Sequence, residues 1–406
     1  MLLQEYQAEW SHGNLPEEMK KTNLKGKSIL VISHVYTTVP VEDLKEYLLK
    51  QSLEYLLYIK HPLFFKHDLA GSAYYLYKSG KLIEKQETRN TNLPSIVKYI
   101  LDIFLSIYWV IKIGKRYDIT VCLDNLNTLT GLLLKITYRV NKVIFYTIDY
   151  IPVRFSNHIL NFLYHLIDKI AVYYSDKTWV LTQRMIEARK KLHNIDNKNE
   201  KQIIIPIGVW FNRIKRKEYR SIRKNVLIYA GGLLPHQGVQ LMIEALPLIK
   251  KEVKDITFEI IGIGDYRAEL EALVKKKKLN DSVSFLGYFP NHKDVEERLS
   301  TAAVGVGLYS KELDIWSYYA DPSKMKSYLV AGLPVITTDV TYFSQIVEEK
   351  HCGVVVNYTK EDVAKKTISL LKDRKTHEKM RRNAIQLAKE LDWQLLFDKG
   401  FASLNL

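Results

Sequence analysis

Short runs rich in apolar and β-branched residues alternate along this chain with stretches of helical periodicity, and the alternation stops once before starting again. Strand-like runs at 28–33, 54–60, 119–123, 143–149, 178–182 and 203–209 are separated by helical patterns near 41–50, 96–113, 128–138, 158–174 and 184–192. A hairpin over 71–82, turning at Ser79-Gly80, interrupts the first series. A basic, weakly apolar stretch at 211–224 then reads as a linker. The rhythm resumes with strands at 226–230, 256–261, 283–286, 304–309, 335–338 and 353–356, and closes in helices at 361–371 and 377–392, followed by 393–401. This is the pattern of two α/β halves, each a parallel sheet covered by helices on both faces. It predicts an extension over 1–27, a first domain over 28–212, a linker over 213–224, a second domain over 225–385 and a terminal segment over 386–406.

With 406 residues, each half is long enough to bury its own core. The net charge of +15 favours anionic partners: nucleic acid, an anionic membrane surface or phosphorylated small molecules. Cys122 and Cys352 do not make a disulfide framework, which fits a reducing compartment. Residues 1–27 are polar and do not read as a secretory leader. The most apolar helix, 96–113, carries Lys98, Asp102 and Ser106 as a thin polar stripe. Two charges in so short a run argue against a membrane span. Packing on a sheet is the expected arrangement, with a helix lying on a membrane surface as the alternative.

Ligands of open parallel sheets bind beyond the carboxyl ends of the strands. Four segments occupy such places. Gly231 and Gly232 follow the strand at 226–230, where paired glycines allow either close backbone approach to a ligand or a tight turn. Gly262, Gly264 and Asp265 follow the next strand and resemble the start of a dinucleotide fingerprint without its third glycine. Asp321-Pro322-Ser323-Lys324 opens a short helix that leaves at Gly332, and Pro322 suits its first turn. Ser323 and Lys324 at a helix N-terminus suit an anion, a diphosphate above all, although a solvated lysine is equally compatible. In the first half, Asp149 ends a strand, where it would act on a substrate hydroxyl, cap the next segment or pair with Arg154.

The ordered set Tyr229-Ala230-Gly231-Gly232 with Gly238, Ile260-Ile261-Gly262-Ile263-Gly264-Asp265, Val283 to Gly287, and Ala331-Gly332-Leu333-Pro334-Val335-Ile336 resembles the carboxyl half of family 4 glycosyltransferases. The resemblance implies the GT-B fold: two Rossmann-like domains facing across a cleft, with terminal helices crossing back onto the first. It also implies a nucleotide sugar held by the second domain. Many relatives carry an arginine and a lysine where this chain has Gly232 and Gln237, and two glutamates where it has Tyr319 and Ser327. A subset instead carries Pro-Ser-Lys, as at Pro322-Ser323-Lys324, which assigns the diphosphate to Ser323, Lys324 and backbone N–H groups.

The chemistry implied is transfer of a glycosyl group from a nucleotide diphosphate sugar, with retention of configuration. The acceptor is a glycan or a lipid-linked molecule, and the setting is cytoplasmic, peripheral on the inner face of a membrane. No metal or other cofactor is expected, because a helix N-terminus and Lys324 supply positive charge to the departing diphosphate. Asp149 is the expected catalytic group on the acceptor side. His34, at the end of the first strand, is an acceptor-side candidate that as a surface-loop histidine would be incidental. His61 and His165 take structural roles. Three other classes fit parts of the pattern: a catalytically silent nucleotide-sugar-binding protein, a nucleotide-sugar epimerase, and a nucleic-acid binder, for which no zinc, RNA-recognition or basic-zipper module is recognisable.

Overall fold

The computed structural model describes residues 23–35, 40–62, 71–89, 93–313 and 316–404. Most of the expected amino-terminal extension, residues 1–22, lies outside them. The first sheet has eight strands, β1 (Ser28–Val35), β2 (Tyr55–Pro62), β3 (Ala73–Lys78), β4 (Lys81–Glu87), β5 (Tyr117–Leu123), β6 (Val140–Thr147), β7 (Lys177–Val180) and β8 (Gln202–Ile204), in the order β4-β3-β2-β1-β5-β6-β7-β8. Six are parallel, and β3 and β4 add an antiparallel edge. Their hairpin turns at Ser79 and Gly80, both with positive φ (48° and 79°), which suits the right-handed twist of the strands. The sheet is therefore mixed rather than wholly parallel. Two strands stop earlier than their apolar runs suggest: β6 ends at Thr147, so Asp149 stands in the loop beyond it, and β8 ends at Ile204.

Helix α1 (Pro40–Leu49) covers one face of this sheet. On the other face lie α2 (Ser95–Ile113), α3 (Asn125–Ile136) and α4 (His158–Tyr174), with α3 touching both neighbours. β6 shows why both faces fill: Ile144 and Tyr146 join the α1 side, Val143 and Phe145 the other. Helix α5 (Gln183–His193) leads to β8.

The second sheet is parallel throughout: β9 (Val226–Ala230), β10 (Thr257–Ile261), β11 (Val283–Gly287), β12 (Val304–Gly307), β13 (Val335–Thr338) and β14 (Gly353–Val356), ordered β11-β10-β9-β12-β13-β14. It is flanked by α6 (Val239–Glu252), α7 (Arg267–Lys276), α8 (His292–Ser300), α9 (Ser323–Ala331), α10 (Tyr342–Glu349), α11 (Lys360–Lys372) and α12 (Arg374–Glu390). The last helix, α13 (Trp393–Ala402), returns to the first domain. Tyr47 of α1 stacks on Phe401 and donates a hydrogen bond to Asp398 (2.6 Å), and Trp179 meets Phe401 edge-on. Both chain crossings run side by side, through Val209 N–H to Leu391 O (2.9 Å) and Trp393 N–H to Val209 O (2.9 Å).

The strand order reverses direction between β1 and β5 in one sheet and between β9 and β12 in the other. Loops diverge at such points and leave a crevice, so each domain carries a natural binding position there.

Helix α2 is turned inside out. Its polar stripe faces the protein: Asp102 and Ser106 are buried, and Ser106 shares a hydrogen bond with His61 (2.8 Å). His34 lies buried within β1, not in a surface loop, with Nδ1 2.7 Å from Asp124 and Nε2 3.4 Å from Asp102. His61 sits between Asp102 (3.0 Å) and Ser72 (2.9 Å). Burial alone would lower the His34 pKa, but the Asp124 and Asp102 carboxylates outweigh it and hold it up to about 9.

That raised value fixes a pH dependence. The unfolded chain gives up the His34 proton near pH 6.5, the folded one near 9. The stabilisation from His34 is therefore complete below about pH 6.5 and lost as pH rises through about 9, a change on the order of 3 kcal/mol. Other groups titrate in this window, so the readout is the difference between wild type and His34→Gln in denaturant unfolding. Wild type should lose its advantage between pH 6.5 and 9. Parallel curves would show that His34 carries no extra proton in the folded state.

Candidate functional site

The crevice of the second sheet centres on Lys324. Pro322 (φ −73°, ψ 113°) stands just before α9 rather than inside its first turn, so Ser323 and Lys324 begin the helix. No side chain caps this N-terminus, and the first N–H groups of any helix lack intrahelical acceptors. The Lys324 ammonium donates to the Tyr229 hydroxyl (3.0 Å) and to Gln237 Oε1, and lies 4.4 Å and 5.1 Å from the ring centres of Tyr229 and Tyr309. All these partners are neutral, and among the described residues Lys324 has no carboxylate partner. Burial pulls its pKa down to about 7. A Cβ added to Gly231 would sit 3.1 Å from the ammonium, so the glycine leaves the lysine its place.

The other glycines serve the scaffold that holds this loop. A Cβ on Gly262 (φ 140°) would strike Gly231 O at 1.9 Å, and one on Gly264 would strike Leu233 O at 2.2 Å. The two loops instead clasp through Gly231 N–H to Ile261 O and Leu233 N–H to Ile263 O, each 3.0 Å. Gly232 faces open space, and Asp265 is exposed ahead of α7. Thus Gly231 meets Lys324 directly and Gly232 only through Tyr229, whose hydroxyl donates to Gly232 O (2.6 Å), while Gly262 and Gly264 hold the loop.

A cavity of about 360 Å³ opens beside Lys324 and spans both domains. Pro40, Ile148, Leu181 and Ile207 supply the first-domain wall; Gln237, Tyr309, Trp316, Ser323 and Lys324 belong to the second. The size suits a small organic ligand. Cross-domain bonds fix its floor: Arg184 donates to Tyr318 O (3.0 Å) and Val340 O (2.7 Å), Thr182 to Tyr319 O (3.3 Å), and Ile207 N–H to Asp321 Oδ2 (2.7 Å). The other Asp321 oxygen pairs with the buried Lys326. Tyr319 packs partly buried against the first-domain core, and Ser327 bonds back to Ser323 O (3.3 Å) within α9.

The first-domain crevice holds a second cavity, of about 110 Å³, lined by His34, Asp124, Asp149 and Arg154 among others. Asp149 reaches it and is ion-paired with Arg154 (2.7 Å), so the pairing expected of a structural carboxylate coexists with exposure to the cavity. Ile148 lines both cavities, which places them wall to wall. Asp124 is the residue that sequence reasoning missed. It follows β5 at the strand's carboxyl end, the same position that singled out Asp149. Its φ of 71° is costly for a residue with a Cβ, and it caps α3 through Asn127 N–H (2.8 Å) while holding His34.

Residues 211–387 match the family described as "Glycosyl transferases group 1". Among curated proteins, the chain is 26% identical over 173 residues to the alpha-D-kanosaminyltransferase of Streptomyces kanamyceticus, covering 42% of this chain and 43% of that one. It is 25% identical over 196 residues to the lipopolysaccharide glucosyltransferase WaaG of Escherichia coli, covering 45% and 49%. Each match spans less than half of the relative's length. In three dimensions, the sucrose-phosphate synthase of Thermosynechococcus elongatus superposes with a TM-score of 0.68 at 16% identity, covering 92% of this chain and 97% of that one. The Anabaena protein HepE, solved in complex with UDP, superposes with a TM-score of 0.67 at 14% identity, over 92% and 98%. The chain therefore has a two-domain GT-B fold, and its residues 211–387 match the group 1 glycosyltransferase family.

Proposed function

We propose that this chain transfers a glycosyl group from a nucleoside diphosphate sugar, with retention of configuration and without a metal, to a glycan or lipid-linked acceptor on the cytoplasmic side. One observation carries the reading: a partly buried ammonium whose partners among the described residues are all neutral, at an uncapped helix N-terminus, beside a cavity that both domains line. A cation so placed is unfavourable until an anion joins it, and a diphosphate supplies both charge and acceptors for the N–H groups. As the glycosidic bond to the diphosphate breaks, negative charge grows on the leaving phosphate, and Lys324 is fixed where it stabilises that charge. Pro322-Ser323-Lys324 thus replaces the arginine and lysine grip that Gly232 and Gln237 lack. In this reading Asp149, one residue from the shared wall at Ile148, accepts the proton of the incoming hydroxyl.

A second reading has its own support. Neither Tyr319 nor Ser327 places a carboxylate beside the donor, so a protein that binds nucleotide sugar without turning it over has the same cleft. Donor binding with no turnover on any acceptor would favour it.

Lys324 gives the donor site a pH signature. Near pH 7 its free ammonium is about half ionised, and diphosphate requires the charged form. Affinity for a nucleoside diphosphate should fall about tenfold per pH unit above 7, while affinity for the bare nucleoside stays level. Lys324→Gln should remove that slope and weaken the diphosphate roughly ten- to a hundredfold at neutral pH. Equal effects on nucleoside and diphosphate, read by calorimetry, would mean the phosphates bind elsewhere.

On the acceptor side, Asp149→Asn keeps the size of the side chain and removes the charge and the base. Transfer, assayed with chelator present, should drop on the order of a hundredfold with donor affinity unchanged. A large fall in melting temperature with normal residual transfer would reduce Asp149 to the structural partner of Arg154.

A further inference from the structure

Helices α2, α3 and α4 form one layer on the first domain, and the outer surface of that layer is apolar. On α2, Val97, Ile100, Leu101, Phe104, Tyr108 and Ile111 are exposed, Phe104 to 64%, while Asp102 and Ser106 point into the protein. Helix α4 repeats the inversion: Ile159 and Phe162 are 72% and 65% exposed, while His165 and Asp168 are buried, Asp168 in an ion pair with Arg189. Between them α3 exposes Leu133 and Ile136. A helix on a water-facing surface places its polar side outward; two inverted helices in one layer leave an exposed apolar face of the kind that marks a protein or membrane interaction site.

We propose that this three-helix face docks on an anionic lipid bilayer. No helix among the described residues is long and apolar enough to cross a membrane, so the layer lies on the surface instead of spanning it. Charge selects the occupant. None of the three helices exposes a carboxylate, whereas Lys112 lies in the last turn of α2, Lys115 and Arg116 follow that helix, Arg139 follows α3, and Lys169 lies on α4. Basic residues gain energy near anionic headgroups, while a second copy of the same face would be repelled. Exposed Tyr108, Tyr138, Tyr173 and Tyr174 supply the amphipathic rings favoured at a membrane boundary.

The layer also borders the first-domain cavity, which is lined by Tyr99 of α2, Tyr164 of α4 and Phe155. A lipid-anchored acceptor could offer its polar end to that cavity while its chains stay in the bilayer. This last step rests on the transfer reading; the docking does not.

Co-sedimentation of the full chain with vesicles tests it. Vesicles of phosphatidylcholine with about a third phosphatidylglycerol should bind the protein, and pure phosphatidylcholine should bind it far less. Phe104→Ser combined with Phe162→Ser should lower partitioning at least tenfold, with the melting temperature and nucleotide binding of wild type. Lys112→Gln with Arg116→Gln should weaken binding to the anionic vesicles alone, and this pair stands in if the serine variant folds poorly. Wild type that stays in solution with both vesicles, or substitutions that leave partitioning unchanged, would overturn the proposal. So would a dimer in sedimentation equilibrium that the serine pair dissociates, since that assigns the face to a second copy.

Discussion

Two lysines at the start of α9 are enclosed by the protein in opposite ways. Lys326 lies against Asp321, whose other oxygen accepts from Ile207 of the first domain, so that ammonium is satisfied and ties the loop across the cleft. Lys324 has a hydroxyl, an amide oxygen and two aromatic faces, but no carboxylate among the described residues. Buried ion pairs add little net stability and much geometric definition. Here the definition fixes Asp321, and with it the few residues before the α9 N-terminus. The unbalanced charge two residues from Lys326 is then held in place rather than free to swing into solvent. Much else in the second domain serves that placement: the clasped loops at Gly231 and Gly262, the hydroxyl of Tyr229, and the left-handed exit at Gly332.

The first domain meets this arrangement with a polar layer of its own. Turning α2 inward brings Asp102 and Ser106 to His34 and His61, and Asp124 completes the group at the cost of a strained backbone. The result is an imidazole held charged at neutral pH under the first-domain cavity, separated from the donor-side cavity by Ile148. The same inversion sends the apolar side of α2 to the surface. One choice of helix orientation thus underlies both the polarity of the cavity and the apolarity of the outer face.

Much of the fold could be read from the sequence because strand and helix periods differ and each half repeats them. The turn at Ser79-Gly80 and the helix exit at Gly332 were legible because local backbone chemistry decides them. The end of β6 was not, since the apolar run continues to Ile148 while pairing with β7 stops at Thr147. Contacts between distant residues were out of reach: Lys324 finds Tyr229 and Gln237 across 95 and 87 positions. A stripe at every fourth residue places Lys98, Asp102 and Ser106 on one side of a helix, but it does not say which side faces the sheet. His34 read as a loop residue because the strand was drawn to end two residues too soon. Asp124 needed only the rule already applied to Asp149.

The most direct measurement is a crystal structure of the chain with a nucleoside diphosphate bound. The account predicts the terminal phosphate at the N-terminus of α9, accepting from backbone N–H groups near Ser323, with Lys324 Nζ moved from Gln237 to within hydrogen-bond distance of a phosphate oxygen. A diphosphate bound elsewhere, with Lys324 still resting on Tyr229 and Gln237, would contradict it.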